Sequence, residues 1–266
     1  MQAYILTGPN GPDSLELTDV PTPTISSSDV LVRVKAISLN PVDYKTARGK
    51  AMWDTLSAQP PVIDGWDIAG EITEVGADVT EFNVGDAIFG MVNFPGAGRA
   101  YAEYVAAPAD HLAHQPANVS VEEAAGATLA ALTAFQIMEK ADVQPGQRVL
   151  IHAAGGGVGT FAVQFAKERG AYVIGTASAP KRDFVLSLGA DEVIDYTQVR
   201  FEDSIEPVDF VFTGIGNDIP ARSLSIIKSG GKLISIAGGI TPEVTAQAQV
   251  KQIDASPFMV ASNGAD

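Results

Sequence analysis

Hydrophobic and polar positions follow two different patterns along this chain, and the change falls near residues 115–125. Upstream, short apolar runs such as 31–39, 68–76 and 87–94 are separated by glycine, proline, asparagine and aspartate. Short strands with turn residues between them are typical of a β barrel or sandwich. The glycines in this region suit the bends and bulges of a strongly curved sheet. The pattern therefore predicts a β domain over residues 1–117.

Downstream of Pro116, the pattern becomes one of alternating helices and strands. The run 119–142 is rich in alanine and leucine and predicts a helix, with Ser120 as its N-cap and Glu123 completing a capping box. The other predicted helices cover 159–169 and 180–188, and the predicted strands cover 147–154, 171–178, 192–196, 208–213, 231–238 and 257–262. Apolar strands that alternate with helices indicate a parallel sheet covered on both faces. Six such strands complete a doubly wound sheet, so we predict an α/β fold with a second domain over residues 118–266.

Composition narrows the possible functions. The 266 residues carry 32 acidic and 17 basic side chains, a formal net charge of −15, which repels the phosphate backbone of nucleic acids. No apolar run reaches the ~18 residues of a membrane span, and the first residues lack the pattern of a secretory signal. We therefore expect a cytoplasmic protein with neither a nucleic-acid nor a membrane partner.

The chain has no cysteine, which excludes disulfides, thiolate nucleophiles and cysteine-ligated zinc. Its three histidines include His111 and His114, which have no third or fourth ligand candidate near them in sequence. We therefore expect no metal site. A hydrolase is poorly supported, because the chain lacks a G-x-S-x-G elbow.

The stretch HAAGGGVGTFAVQFAKERG (152–170) is the strongest functional signal. Ala154, Gly156 and Gly159 form a G-x-G-x-x-G variant that follows a predicted strand and opens a helix. Gly156 lets a pyrophosphate approach the backbone, and Gly159 lets the helix pack close to the strand. The N–H groups and dipole at the helix start favour phosphate, so the sequence predicts a dinucleotide site.

Residues after the second strand of this domain indicate which dinucleotide binds. NAD sites of this kind place Asp or Glu about 20 residues after the loop to hold the ribose 2′-hydroxyl. Here Thr176 to Pro180 contain no acid, and Lys181 and Arg182 follow. Cations and hydroxyl groups suit a 2′-phosphate, which favours NADP over NAD.

The chain resembles the medium-chain dehydrogenase/reductase superfamily, and within it the zinc-free NADPH:quinone oxidoreductase branch related to zeta-crystallin. The matching stretches are NPVDYK (40–45), PVIDGWDIAGEITEVG (61–76), VGDAIFG (84–90), LTAFQ (132–136), HAAGGGVGTFAVQFAK (152–167), LGADEVIDY (188–196) and SGGKLISIAG (229–238). The resemblance implies an N-terminal GroES-like β domain with the substrate pocket, then a Rossmann domain, with the active site in the cleft between them. Zinc-dependent relatives have a cysteine where Asn40 falls and Gly-His-Glu where Gly65, Trp66 and Asp67 fall.

Residue roles follow from the matching positions. The resemblance implies that Asn40 and Tyr44 contact the substrate and that Asn40 also lies near the nicotinamide. The cofactor-binding residues that it implies are Asn40 and Thr133 near the nicotinamide, Gly156, Gly157 and Val158 at the pyrophosphate, Ser178, Lys181 and Tyr196 at the 2′-phosphate, Ala237 and Gly238 beside the nicotinamide ribose, and Phe258 and Val260 over the ring. No residue is assigned as a catalytic acid or base. The family also implies a helix and a return to the β domain after the sixth strand, and we expect that return segment to be absent from a chain ending at Asp266.

A quinone or an α,β-unsaturated carbonyl is electron-poor enough to accept hydride directly from NADPH, without a metal. We therefore expect an NADPH-dependent reductase of quinones or enones, with a small-molecule electron acceptor as its partner. The alternatives are an enoyl-thioester or alkenal reductase of the same superfamily, and a non-catalytic NADPH-binding sensor or structural protein. The family also implies a homodimer formed through the edge of the Rossmann sheet near the fifth and sixth strands.

Overall fold

The computed structural model describes residues 1–266, which form thirteen β-strands and seven α-helices. The strands are β1 (Gln2–Leu6), β2 (Leu15–Asp19), β3 (Asp29–Ile37), β4 (Asp67–Val75), β5 (Ala87–Met91), β6 (Tyr104–Pro108), β7 (Ala113–His114), β8 (Arg148–Ile151), β9 (Tyr172–Ala177), β10 (Glu192–Asp195), β11 (Val208–Thr213), β12 (Ile227–Ser235) and β13 (Asp254–Pro257). The helices are α1 (Pro41–Ala47), α2 (Trp53–Ser57), α3 (Val121–Ala141), α4 (Gly157–Glu168), α5 (Arg182–Ser187), α6 (Ile219–Ser223) and α7 (Pro242–Val250). The chain divides into two units, of which unit 1 is Met1–Leu132 with Val260–Asp266 and unit 2 is Thr133–Met259.

Unit 1 is built on antiparallel strands, as the short apolar runs predict. Strands β1 and β2 form a two-stranded sheet, and a five-stranded sheet has the order β6-β3-β4-β5-β7. The β3–β4 pair has two register shifts, and Gly70 lies beside one of them. A side chain at Gly70 would overlap the carbonyl group of Arg33, so the glycine permits the close approach of these two strands. Alternate residues of the strands, including Val30, Val32, Ile68 and Ile72, are fully buried and form the core of this unit.

Unit 2 contains the doubly wound sheet that the sequence predicts. Its six strands are in the order β10-β9-β8-β11-β12-β13, and all pairs are parallel. Counted along unit 2 this is the order 3-2-1-4-5-6, in which the winding direction reverses between β8 and β11. Loops at the carboxyl ends of the strands beside such a reversal form the usual ligand-binding crevice of this architecture.

Both faces of this sheet are covered by helices. Val149 and Ile151 of β8 face a cluster with α3, α4 and α5, whereas Leu150 between them faces a cluster with α6 and α7. This alternation follows from the two-residue period of a strand. It explains why the strands of unit 2 read as nearly continuous apolar runs, since both faces of each strand are buried.

One predicted strand was misplaced, and a helix of unit 2 was not predicted. The sixth strand was predicted at 257–262 but lies at Asp254–Pro257, where it pairs with β12. Pro257 cannot donate to a ladder, and the strand ends there. Helix α7 was not predicted, because only Val244 and Ala248 of its residues are buried and the apolar stripe is therefore weak. Thr241, which caps the helix by accepting from the Val244 N–H, and the proline after it were the available signal.

The division between the units falls inside α3, between Leu132 and Thr133, whereas the sequence pattern changes near residue 117. The domain boundary at 117/118, which rests on the change in sequence pattern, stays a prediction. The last residues pack with unit 1, where Ser262 exchanges hydrogen bonds with the Phe94 backbone and the Gly264 N–H donates to the Asp110 carbonyl. None of the helices has the length and hydrophobicity needed to span a membrane. The cytoplasmic location stays a prediction.

Candidate functional site

The glycine loop of unit 2 joins β8 to α4 and is shaped by one close contact. A Cβ atom at Gly159 would overlap the carbonyl oxygen of Ala153, which is why the first turn of α4 can lie against the loop. Ala153 itself has a positive φ of 52°, a conformation that turns the chain sharply out of the strand. The predicted role of Gly159 in close helix–strand packing is confirmed.

The first turn of α4 presents free backbone donors. Gly156 is the N-cap, in an extended conformation and with no side chain to cap the helix. The first N–H groups of a helix have no partner within it, so those of Gly157, Val158 and Gly159 are available to an anion. The positive end of the α4 dipole adds to this preference. The loop therefore fits a diphosphate.

The predicted 2′-phosphate residues lie at neighbouring strand ends. Ala177 pairs with Asp195 at the ends of β9 and β10, so Ser178 and Tyr196 leave the sheet side by side. Ser178 is half-buried and Tyr196 is exposed. Lys181 lies across the glycine loop, where its Nζ donates to the carbonyl oxygen of Gly155 at 2.6 Å. The structure thus brings a hydroxyl, a phenol and an ammonium group to the edge that carries the glycine loop.

The sequence analysis did not consider Asp195, which also lies at this edge. Its carboxylate accepts hydrogen bonds from the backbone N–H and the hydroxyl of Thr197, at 2.9 and 2.7 Å. These bonds lower the pKa of Asp195, so the group is anionic. Its carboxylate is hydrogen-bonded within the turn at Thr197. Lys181 and Arg182 are the cationic residues that follow β9.

The remaining cofactor candidates of unit 2 lie on α3 and after β12. Thr133 is 3% exposed, and its hydroxyl is buried without a hydrogen-bond partner. Ala237 and Gly238 follow the end of β12, where the Ser235 hydroxyl donates to the Gly238 carbonyl at 2.6 Å and Gly238 has a φ of 83°. An unpartnered buried hydroxyl is costly, and a ligand group beside Thr133 would satisfy it.

Phe258 belongs to unit 2, whereas Val260 belongs to unit 1. Phe258 is half-buried against the core of unit 2, and its N–H donates to the Ser235 carbonyl at 2.9 Å. Val260 is buried and belongs to unit 1. Because the predicted strand over 257–262 does not form, the two residues do not lie on one face of a single strand. Their predicted positions over the nicotinamide stay predictions.

His152 is a structural residue. It is 2% exposed, and its ring nitrogens lie 3.3 Å from the hydroxyls of Thr176 and Ser223. Its ring also packs edge-on against Phe201, with centroids 4.6 Å apart. Burial, with a smaller contribution from the Arg222 charge, lowers the pKa of His152 to about 4, so the neutral ring links the strand to its neighbours.

Unit 1 contains a cavity of about 420 Å³ at the start of α1. Asn40 and Tyr44, the two predicted substrate-binding residues, both line it. Its other lining residues are Pro12, Leu15, Leu39, Pro41, Asp43, Ala47, Asp64 and Tyr101. The lining is mostly apolar, and its ionisable groups are two carboxyls and two phenols, with no lysine or arginine. Such a surface suits an uncharged organic molecule.

The positions that hold zinc in zinc-dependent relatives are occupied here by side chains whose polar groups already make hydrogen bonds within the protein. Trp66 is fully buried, and its indole N–H donates to the Gly96 carbonyl at 2.7 Å. Asp67 Oδ2 accepts from the Ser38 hydroxyl at 2.5 Å and the Asn40 amide at 2.7 Å, and Oδ1 accepts from the Leu129 N–H at 3.1 Å. Burial raises the pKa of Asp67, and these donors oppose the rise. An indole cannot ligate zinc, and the Asn40 amide already donates to the carboxylate, so these residues do not fit the metal.

Two more carboxyls lie on the cavity wall. Asp43 is 4% exposed, and its Oδ2 accepts from the Asn40 N–H at 2.8 Å and from the Tyr101 hydroxyl at 3.0 Å. Burial raises the pKa of Asp43 to about 6. Asp64 is 2% exposed, and burial raises its pKa to about 7, with a further increase from the Asp43 charge. The pKa of the Tyr101 phenol is also raised, chiefly by burial.

Asp43 belongs to the matching stretch 40–45, and the hydrogen bond from the Asn40 N–H to its carboxylate fixes the local turn. Asp64 and Tyr101 were not predicted as site residues, because their proximity depends on tertiary contacts between segments over 30 residues apart. The Tyr101 N–H donates to the Asp64 carbonyl, and the Tyr101 ring occupies the space beside Gly65.

Comparisons with known proteins agree with both units. The alcohol dehydrogenase GroES-like domain matches residues 26–117, and the family described as zinc-binding dehydrogenase matches residues 157–262. The chain is 34% identical over 250 residues to 2-methylene-furan-3-one reductase of Solanum lycopersicum. This alignment covers 91% of this chain and 63% of that protein. It is also 34% identical over 250 residues to the NADPH-dependent alkenal/one oxidoreductase, chloroplastic, of Arabidopsis thaliana, covering 91% of this chain and 64% of that one.

Among solved structures, the quinone oxidoreductase from Coxiella burnetii matches with a TM-score of 0.88 and 36% identity. The match covers 98% of this chain and 82% of that chain. By contrast, the chain spans slightly less than two thirds of the length of the two curated relatives.

The raised pKa of Asp64 makes stability depend on pH, and Asp64→Asn tests this. The pKa of this carboxyl is about 7 in the folded chain against an ordinary 3.8, so the folded state binds the proton more tightly. The free energy of unfolding should therefore fall as pH rises from about 4 to about 7. Asparagine keeps an oxygen for the Gly65 N–H but cannot ionise. Its stability relative to wild type should increase by up to about 4 kcal/mol between pH 4 and pH 8.

The measurement is urea unfolding at a series of pH values, followed by tryptophan fluorescence, because Trp53 and Trp66 both belong to unit 1. The matched control is Asp78→Asn, which removes an exposed carboxylate of the same unit. Parallel pH curves for wild type and Asp64→Asn would show that this carboxyl is not the titrating group.

Proposed function

The chain belongs to the medium-chain dehydrogenase/reductase superfamily, and on that premise we propose that it is an NADPH-dependent reductase of quinones and α,β-unsaturated carbonyls that works without zinc. One observation carries the proposal. The glycine loop keeps its phosphate-binding form, while the Asn40–Asp67 pair occupies the position where zinc-dependent relatives hold their metal. The names of the curated relatives, one an NADPH-dependent alkenal/one oxidoreductase, support the same reading.

Unit 2 has the groups to hold NADPH. Gly156, Gly157 and Val158 bind the pyrophosphate through the first turn of α4, and Ser178, Lys181 and Tyr196 bind the 2′-phosphate. Thr133, Ala237, Gly238 and Phe258 contact the nicotinamide end. When bound, the cofactor supplies a hydride.

Unit 1 binds the acceptor in the cavity at the start of α1. Asn40 and Tyr44 orient it, and the apolar walls exclude water. Because the wall carries carboxyls and no cation, a neutral acceptor is preferred over a carboxylate. An alcohol substrate would require a Lewis acid or a base to remove its proton, and the groups around Asn40 do not fit a metal.

The cofactor assignment predicts a preference for NADPH that depends on Lys181. Wild type should bind NADPH at least about tenfold more tightly than NADH, a difference of about 1.4 kcal/mol. Lys181→Ala should lose that preference and bind NADH as wild type does, since the ammonium acts on the 2′-phosphate. Calorimetric titration with both nucleotides measures this.

The matched control is Lys228→Ala. It removes the same charge near the start of β12, where Lys228 pairs with Asp209 at 2.8 Å, at the opposite edge of the sheet from the glycine loop. Equal affinity of wild type for the two nucleotides would contradict the assignment of NADP.

The proposed reaction predicts a particular set of substrates. Neutral quinones and enones should be reduced by NADPH after exhaustive treatment with a chelator, with no loss of rate. Simple alcohols with NADP should give no turnover, and unsaturated carboxylates should react at least about tenfold more slowly than the matching neutral ketones or esters. Nucleotide absorbance measures all of these rates. Rapid alcohol oxidation that is lost with the chelator would refute the proposal.

Two alternatives give distinct outcomes in the same assay. An enoyl-thioester reductase would prefer thioesters to the corresponding free enones. A non-catalytic NADPH-binding sensor or structural protein would bind the nucleotide and reduce no acceptor. The alkenal reductase alternative differs from the main proposal only in acceptor preference.

We also infer a homodimer that forms through β13, the last strand of the unit 2 sheet, which pairs with β12 on one side only. Met259, just beyond this strand, is 63% exposed. Light scattering should give twice the chain mass of 27.7 kDa, and Met259→Lys should shift the equilibrium to monomer. Val84→Lys, at a residue of unit 1 that is 65% exposed, is the matched control. A monomer in wild type would refute this inference.

A further inference from the structure

Three buried carboxyls of unit 1 differ in their supply of hydrogen-bond donors. Asp67 accepts from Ser38, Asn40 and the Leu129 backbone. Asp64 accepts one hydrogen bond, from the Gly65 N–H to Oδ1 at 2.8 Å. Burial of a carboxylate is costly unless several donors compensate it. Asp64 has the least compensation, so it is the carboxyl that retains its proton. The proton lies on Oδ2, because Oδ1 accepts from the backbone.

The surroundings of Asp64 favour the same protonation state. The titratable groups that interact with it are Asp43 from α1 and the Tyr101 phenol, and both are acidic. Asp43 and Tyr101 line the cavity with Asp64, and no cation lines it. Tyr101 cannot easily act as a donor to a ligand, because its hydroxyl proton is used in the hydrogen bond to Asp43 Oδ2.

A second observation indicates that a polar ligand group belongs in this cavity. Asp43 is only 4% exposed, and its Oδ1 atom is buried without a hydrogen-bond partner. Leaving such an oxygen unpaired costs stability. A cavity with an acid that can donate and an oxygen that can accept is suited to a bound molecule that exchanges a proton.

We propose that Asp64 is the proton donor in the reduction, a role that rests on the proposed function. Bound NADPH would supply a hydride to the β-carbon of an enone, which leaves the electron pair of the C=C bond in an enolate. The Asp64 Oδ2–H bond breaks, and the proton forms the new Cα–H bond of the ketone, either directly or through an enol that tautomerises. Asp64 is left as a carboxylate and regains a proton from water once the product leaves. The sum is enone plus NADPH plus H⁺ giving the saturated ketone and NADP⁺.

The first test measures the proton directly, without cofactor or substrate. Infrared spectra of the wild type should contain the C=O band of a neutral, buried carboxylic acid at pH 6. That band should lose intensity as pH rises through about 7, the pKa of Asp64. In Asp64→Asn the band should lose the intensity of one carboxyl, because Asp43 and Asp67 also have raised pKa values, and it should be unchanged in Asp78→Asn. If the band at pH 6 survives unaltered in Asp64→Asn, the proposal is overturned.

The second test measures the pH dependence of enone reduction. In the wild type, kcat should fall as pH rises through about 7, because a general acid must be protonated to act. Asp64→Asn should lower kcat about 100-fold with little change in KM, and should remove that pH dependence. Asp64→Glu should restore a falling limb and part of the rate, whereas a purely structural role for Asp64 would leave the pH profile in place.

The two tests separate the possible failures. If the wild type reduces no acceptor, the proposed function and the donor role both fail, even where the infrared band shows a neutral Asp64. If enones are reduced and Asp64→Asn keeps the rate and the falling limb, the donor role alone fails. Loss of one carboxyl's share of the band, together with loss of the limb, in Asp64→Asn supports the proposal.

Discussion

The hydrogen bonds to Asp67 hold the functional part of unit 1 together. This carboxylate, at the first residue of β4, ties the Ser38 hydroxyl, the Asn40 amide and the Leu129 backbone to one point. Asn40 precedes α1, so fixing its side chain fixes where the helix begins and where Asp43 and Tyr44 meet the cavity. In a dehydrogenase that depends on zinc, a metal would hold the equivalent positions. Here neutral donors and one buried carboxylate provide that constraint.

Such a network has a thermodynamic consequence. Three carboxyls in a poorly solvated region cannot all be ionised without opposing one another. Burial raises the pKa of all three. Asp67 accepts three hydrogen bonds that stabilise its charge, whereas the side chain of Asp64 accepts one. Retaining protons at neutral pH lowers stability relative to isosteric amides. This is the kind of local cost that persists at functional sites.

Sequence reasoning predicted the features that depend on local spacing. The glycine loop, the six alternating strands and the Ser120–Glu123 capping box, with reciprocal bonds of 2.9 and 3.2 Å, all follow from residues a few positions apart. It misplaced the sixth strand, where an apolar run continues beyond the ladder. Asp64 was not predicted as a site residue, because an aspartate next to a glycine is typical of a turn. The Tyr101 ring lies beside Gly65 and lines the same cavity as Asp64, and no local sequence pattern predicts that contact.

The protonation state of the cavity also bears on the direction of the reaction. Removing hydride from an alcohol requires its hydroxyl proton to leave first, and a metal or an unprotonated base assists that loss. A carboxyl with a pKa of about 7 is half-protonated near neutrality, and its neutral form has a proton to give. Adding hydride to a conjugated carbonyl creates a basic oxygen that needs that proton. The burial that keeps this carboxyl protonated below about pH 7 therefore supplies the proton that the proposed reduction needs.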